Sequence, residues 1–149
     1  MAILKGDQDR AAKSQAILTV ARRMFLHVGY EKSAMSRIAE QAGVAPNTIY
    51  WYFEDKDVLL IAVLNELFSA ALRAYELRKA GPLEEQVLWL VEELEAANSL
   101  IATVHARVVV SASVRAWHRS FHTVLENMLV AQLRARGVPE GELGHASRA

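Results

Sequence analysis

The chain has 149 residues, 52% hydrophobic and 23% charged, with 17 basic and 17 acidic side chains and no cysteine. That suffices for one packed core, or for a small domain joined to a second helical one, and it is too apolar for a disordered chain. The missing cysteine excludes disulfides, thiolate metal sites and cysteine nucleophiles, and the zero formal net charge leaves little non-specific attraction to phosphate.

Three prolines and an abundance of Ala, Leu, Glu and Arg predict helices. The longest apolar run, Val58 to Leu64, is too short to span a bilayer, and the first ten residues lack the apolar centre of a signal peptide. A cytoplasmic protein is expected. Charge is unevenly spread: Lys5, Arg10, Lys13, Lys32, Arg37 and Lys56 lie in the first third, and Glu84, Glu85, Glu92, Glu93 and Glu95 in the middle.

Asp7 or Asp9 can cap a first helix, running roughly from Arg10 to Val28, with Ile17, Ala21, Met24, Phe25 and Val28 on one face. Gly29 stops it, and Tyr30 can pack back on its last turn. Ser33 is the expected cap of a second helix that buries Met35, Ile38, Ala39 and Ala42. The turn Gly43-Val44-Ala45 is short and contains glycine, as a helix-turn-helix requires. Pro46 suits the first position of a third helix, Pro46 to Phe53, with Ile49 and Phe53 inward. Thr48, Tyr50 and Trp51 then fall on other faces, and aromatic side chains that the core does not need are the informative part.

Asp55 caps a long fourth helix, Lys56 to about Lys79, broken by Gly81-Pro82. A fifth helix from Leu83 carries an apolar stripe of Leu83, Val87, Leu90, Val91 and Leu94, with the glutamates as its wet face. Asn98 can cap a sixth helix, with Leu100, Ile101, Val104 and Val108 on one side. Ser111 or Ser113 can cap a seventh, with Trp117, Phe121, Val124, Leu125 and Met128 as its core face, ended by Gly137. Val138-Pro139 would open another helix.

Ile17-Leu18, Ala21, Phe25, Gly29-Tyr30, Ser33, Ile38-Ala39, Ala42-Gly43-Val44, Thr48-Ile49-Tyr50, Tyr52-Phe53, Lys56 and Leu59-Leu60 together resemble the DNA-binding domain of TetR-type transcriptional repressors. The resemblance covers about the first 60 residues; beyond them it is one of architecture alone. It implies an all-α fold: a three-helix helix-turn-helix domain in residues 1–56, joined by the long fourth helix to a helical ligand-sensing and dimerisation domain in residues 57–149. It implies a ligand-responsive repressor that binds a palindromic double-stranded operator as a homodimer and is released by a small-molecule effector. Family members usually extend some tens of residues further, through two long helices that form the dimer interface, so the second domain is expected to be incomplete and those helices missing.

Position by position, the resemblance puts Thr48, Tyr50, Trp51 and Tyr52 where the recognition helix meets DNA, and Lys56 where a lysine touches phosphate. Ser36 and Arg37 stand where the second helix offers a base or phosphate contact. Three positions depart from the pattern: Ala45 replaces a capping serine, Asn47 a common glycine and Ser36 a frequent arginine. Asn47 could read adenine bidentately. Asn47, Thr48 and Trp51 are candidates for base contact, and Tyr50, Tyr52, Lys56 and Lys32 for phosphate. The plainer readings are core packing for the tyrosines and solvated charge for Lys32 and Arg37.

Trp89, His105, Trp117, His118 and Phe121 are candidates for an effector pocket, against ordinary core aromatics. His118 and His122 have a metal-site spacing but no evident third ligand, so no metal and no cofactor are expected. With no Gly-rich phosphate loop or nucleophile motif, an enzyme is not expected. The competing reading is a truncated helical protein-interaction module without effective operator binding.

Overall fold

A computed structural model describes residues 2–139, with side chains from Gly6 onward apart from Leu83. Six helices follow one another, and no strand occurs among the described residues: α1 (Ala2–His27), α2 (Met35–Gln41), α3 (Ile49–Tyr52), α4 (Lys56–Arg78), α5 (Leu83–Val108) and α6 (Ala112–Ala135).

The core begins on the inner stripe of α1. Ile17, Ala21, Met24 and Phe25 pack with Ile38 and Ala39 of α2, Ile49 of α3, and Leu59, Leu60 and Val63 of α4. Phe53 closes the cluster below α3, and Leu100 of α5 joins it from the far side. Packing is thus continuous across the expected 56/57 boundary, because the first turns of α4 serve both halves of the chain.

Glycines make the stops where the chain reverses. Gly29, at a φ of +94°, ends α1 with its N–H on the Met24 carbonyl, and Gly43, at +71°, ends the α2 turn. Both lie in the left-handed region that only glycine enters cheaply. Asp55 caps α4 as expected, accepting from the Val58 N–H at 2.8 Å, and Ser111 caps α6 through the Val114 N–H. At the α4–α5 corner the buried Gln86 side chain donates to the carbonyls of Gly81 (2.8 Å) and Lys79 (3.3 Å), satisfying acceptors that the end of α4 leaves open.

Several expectations need correcting. α1 starts well before Arg10, so Asp7 and Asp9 lie inside it and cap nothing; Val28, expected on its buried face, is exposed. Ser33 does not cap α2: its hydroxyl, fully buried, donates to the Gly29 carbonyl at 2.7 Å, and Ala34 takes the cap position. Pro46, Asn47 and Thr48 form a turn ahead of α3, which is a single helical turn. The expected fifth and sixth helices are one, because Asn98 is an exposed interior residue of α5. Polar residues favour caps, but they tolerate a helix interior at a cost of a few tenths of a kcal/mol, about 0.7 at most.

The α5 stripe is uncovered: Val87, Leu90, Val91 and Leu94 are exposed, as are Val124 and Leu125 of α6. The buried apolar side chains of these helices are Leu100, Val104 and Val114. α4 is, by length and a mean hydropathy of 1.6, apolar enough to cross a membrane, although its longest uninterrupted apolar run is short. Here its apolar residues Leu59, Leu60 and Val63 are spent on the core. Val138 and Pro139 are not helical, and any helix beyond them falls outside the described residues.

Candidate nucleic-acid interface

The α2–α3 unit is built by short-range bonds. Gly43 donates to the Glu40 carbonyl and Val44 to the Ala39 carbonyl, so α2 closes tightly before the chain turns. The Thr48 N–H reaches the Ala45 carbonyl at 2.9 Å, which starts the next turn without any side-chain cap. Arg23 of α1 holds Gln41 at the end of α2 at 2.8 Å.

α3 is anchored by one side chain and presents the others. Ile49 is 0% exposed, whereas Tyr50 is 51% and Trp51 82% exposed. A fully seated isoleucine fixes the helix, and a large indole left in water about half a turn around is costly unless something else covers it. Asn47 is exposed beside them and Thr48 is half-buried. Tyr52 is half-buried against the core, so its ring is structural and only part of its surface is free. On α2, Ser36 and Arg37 are exposed on the side opposite buried Ile38 and Ala39, and Lys32 is exposed in the preceding turn. Asn47, Thr48, Tyr50 and Trp51 are therefore brought together at α3, flanked by Ser36 and Arg37 of the packed neighbour α2.

Lys56 is differently placed. Its ammonium donates to the Tyr30 carbonyl at 2.9 Å and lies 4.2 Å from the centre of the Tyr30 ring. The side chain is half-buried, and an ammonium has three donors, so this anchoring leaves donors for a further acceptor.

Beneath this surface lies an ionic cluster that the sequence reading did not single out. Asp57, in the first turn of α4, is buried. Its carboxylate accepts from the Tyr30 hydroxyl and from the Arg107 guanidinium, Nε at 3.0 Å and Nη2 at 2.7 Å. Burial alone would raise the Asp57 pKa, but bonds from Arg107, Tyr30 and Ser111 outweigh it and hold the carboxyl below its ordinary value. The Tyr30 phenol is pushed up, by burial first and then by the adjacent carboxylate. A signal did exist. Asp57 stands one turn before buried Leu60, and Arg107 one turn after buried Val104, so each is a charge on an apolar stripe.

The effector candidates divide. Trp117 donates to Asn65 of α4 at 2.7 Å and stacks on Phe121 at 5.1 Å, and Phe121 meets Phe68 edge-on at 5.0 Å. His105 and His118 adjoin at 5.4 Å. Trp89 sits apart, stacked with Tyr75 under Arg78. Two open clefts are lined by other residues: one of about 460 Å³ between α1 and α4 includes Gln15, Arg22, Glu66 and Arg73, and one of about 490 Å³ on α5 includes Val91, Leu94 and Ile101. The ring nitrogens of His118 and His122 are 3.1 Å apart. Burial first, then His122 and His105, lower the His118 pKa. Among the described residues no three His, Cys, Asp or Glu side chains converge to hold a metal ion.

Residues 17–63 match the family described as bacterial regulatory proteins, tetR family. An HTH-type transcriptional repressor of Mycobacterium tuberculosis is 33% identical over 97 residues, covering 60% of this chain and 52% of the relative. The fatty acid metabolism regulator protein of Bacillus subtilis is 28% identical over 106 residues, covering 70% of this chain and 53% of the relative. The chain thus spans about half the length of these two curated relatives. Among solved structures, a TetR-family transcriptional regulator of Mesorhizobium loti aligns with a TM-score of 0.65 at 23% identity, covering 85% of this chain and 70% of its own. FadR of Bacillus subtilis, in complex with stearoyl-CoA, aligns at 0.56 and 23%, covering 85% and 74%. These relatives are named as regulators.

Proposed function

We propose that this chain, whose residues 17–63 match the tetR family, is a DNA-binding transcriptional regulator of that family that acts as a repressor. The reading rests above all on α3, where Trp51 and Tyr50 face water from a helix that Ile49 locks in place. A helix so fixed can enter a major groove, where side chains meet base edges. Asn47, Thr48 and Trp51 read bases or thymine methyls. Tyr50, Lys32, Arg37 and the free donors of Lys56 take phosphates and set the register. Ser36 lies at the groove edge, and Tyr52 contributes its exposed rim.

One helical turn makes too few contacts for a tight operator complex. Two copies about 34–36 Å apart, or a multiple of that, match successive major-groove faces, so we read the working form as a homodimer on a palindromic site in the cytoplasm. The zero net charge makes these specific contacts carry most of the affinity. A small molecule binding beside α4, near Trp117, Phe121, His105 and His118, relieves repression if it prefers a tilted α4.

The test is fluorescence anisotropy on the duplex upstream of the coding region, with solution mass measured alongside. Salt-dependent binding by a dimer, lost in Tyr50→Ala, supports the reading. The exposed α5 stripe Val87, Leu90, Val91 and Leu94 favours a second reading, a helical protein-interaction module. A monomer that leaves the duplex unbound would decide for that module.

A further inference from the structure

The Tyr30–Asp57–Arg107 cluster joins three separate parts of the chain at one carboxylate. Tyr30 comes from the α1–α2 turn, Asp57 from the first turn of α4 just after α3, and Arg107 from the last turn of α5. The Arg107 and Asp57 side chains are 29% and 12% exposed. Leu59, Leu60, Val63 and Leu100 already bury the α4–α5 junction with apolar surface. Buried ion pairs are weak stabilisers compared with apolar replacements, because desolvation offsets most of the attraction. What a forked guanidinium adds is geometry: two parallel bonds fix both the distance and the angle of the carboxylate. The same ring that donates to Asp57 also lies under Lys56, whose ammonium is bonded to the Tyr30 carbonyl, and Arg107 lies 5.7 Å from that ring. The fork therefore reaches a proposed phosphate-contacting lysine through one aromatic side chain.

We propose that Arg107 is a positioning residue for DNA binding: by gripping Asp57 from α5 it fixes the first turn of α4, and with it the attitude of α3 and of Lys56 toward the duplex. This rests on the DNA-binding reading above. Arg107 touches no DNA. It acts through Asp57 and Tyr30, so the half of the chain that follows α4 sets how α3 is presented.

The test compares Arg107→Met, Arg107→Lys and the double variant Asp57→Asn/Arg107→Met with wild type. Readouts are anisotropy on the upstream duplex, urea midpoint, and amide hydrogen exchange of residues 49–60 in the DNA-free protein. Arg107→Met leaves a lone buried carboxylate and loses stability; the double variant removes that charge and regains most of it. If Arg107 were merely structural, affinity would return with stability. Positioning instead predicts that the double variant still binds DNA roughly tenfold more weakly, a loss of the size expected for coupling between distant sites. It also predicts faster exchange confined to residues 49–60, and Arg107→Lys, which keeps the charge but not the fork, regaining stability while still binding the duplex more weakly than wild type. A double variant that binds within about twofold of wild type would overturn the inference. If wild type itself leaves the duplex unbound, the functional reading fails and the role in DNA binding falls with it; exchange then decides only whether Arg107 fixes α3 and the start of α4, unchanged rates at residues 49–60 overturning that grip and faster rates sustaining it.

Discussion

Trp51→Ala separates what α3 does for the fold from the DNA contact proposed for it. Burying a tryptophan covers about 200 Å², and Trp51 is 82% exposed, so only roughly 40 Å² of it is covered in the free protein. At about 25 cal/mol per Å², truncation costs the fold about 1 kcal/mol or less. A groove that covers half of the remaining indole removes roughly 80 Å² from water, worth about 2 kcal/mol, or about a 30-fold loss per recognition helix. Thermal unfolding by circular dichroism reads the first number and anisotropy titration the second. A Trp51→Ala protein that melts near wild type yet binds the duplex about 30-fold more weakly per helix is the expected outcome. The reasoning is refuted if the melt collapses as a core truncation would make it, or if affinity stays within about twofold. Ile49→Ala is the internal control: at 0% exposure its loss costs about 2–5 kcal/mol of stability.

Asp57→Ala leaves Arg107 and Tyr30 without their acceptor. Since the Arg107 side chain is 29% exposed and water can take up part of its charge, the usual cost of breaking a buried pair is discounted to about 2 kcal/mol. For a chain of this length that is a fall of roughly 4–8 °C in Tm, and a fall below about 1 °C would contradict the burial argument. His118 supplies a pH dependence. Its folded pKa lies below the ordinary value, so as pH falls through about 6.5 the unfolded chain takes up the proton first and stability declines. Urea midpoints at pH 7.5 and 5.5 should show that decline in wild type and a smaller one in His118→Gln.

The helix-turn-helix was legible because each of its decisions is local. Gly29 and Gly43 stop helices within their own neighbourhoods, Ile38, Ala39, Ile49 and Phe53 mark the inner face, and Asp55 caps the next helix. Where two local signals competed, the sequence could not arbitrate. Ser33 looked like a cap, but its hydroxyl found the Gly29 carbonyl first. Pro46 was equally suited to a helix start and to the turn that it occupies. Asn98 could cap a helix only if the chain turned there, and the apolar pattern on both sides keeps it straight. Periodicity correctly marked a stripe on α5 but says nothing about what covers it, and Val87 and Leu90 are exposed. Arg107 and Asp57 stand 50 residues apart, and their meeting depends on the angle at the α4–α5 corner, which no local pattern encodes.

That corner has a mechanical consequence. Gln86 stitches the carbonyls of Lys79 and Gly81, while Arg107 and Asp57 clasp the opposite end. Helices α4 and α5 are thus pinned at both ends, like two struts of a closed frame. Such a frame cannot tilt one strut without turning the other or opening the clasp. A molecule that wedges α4 outward therefore works against the clasp, and the penalty is mutual. By linkage, a duplex that holds α3 in place must weaken that molecule's binding by the same factor by which the molecule weakens the duplex's.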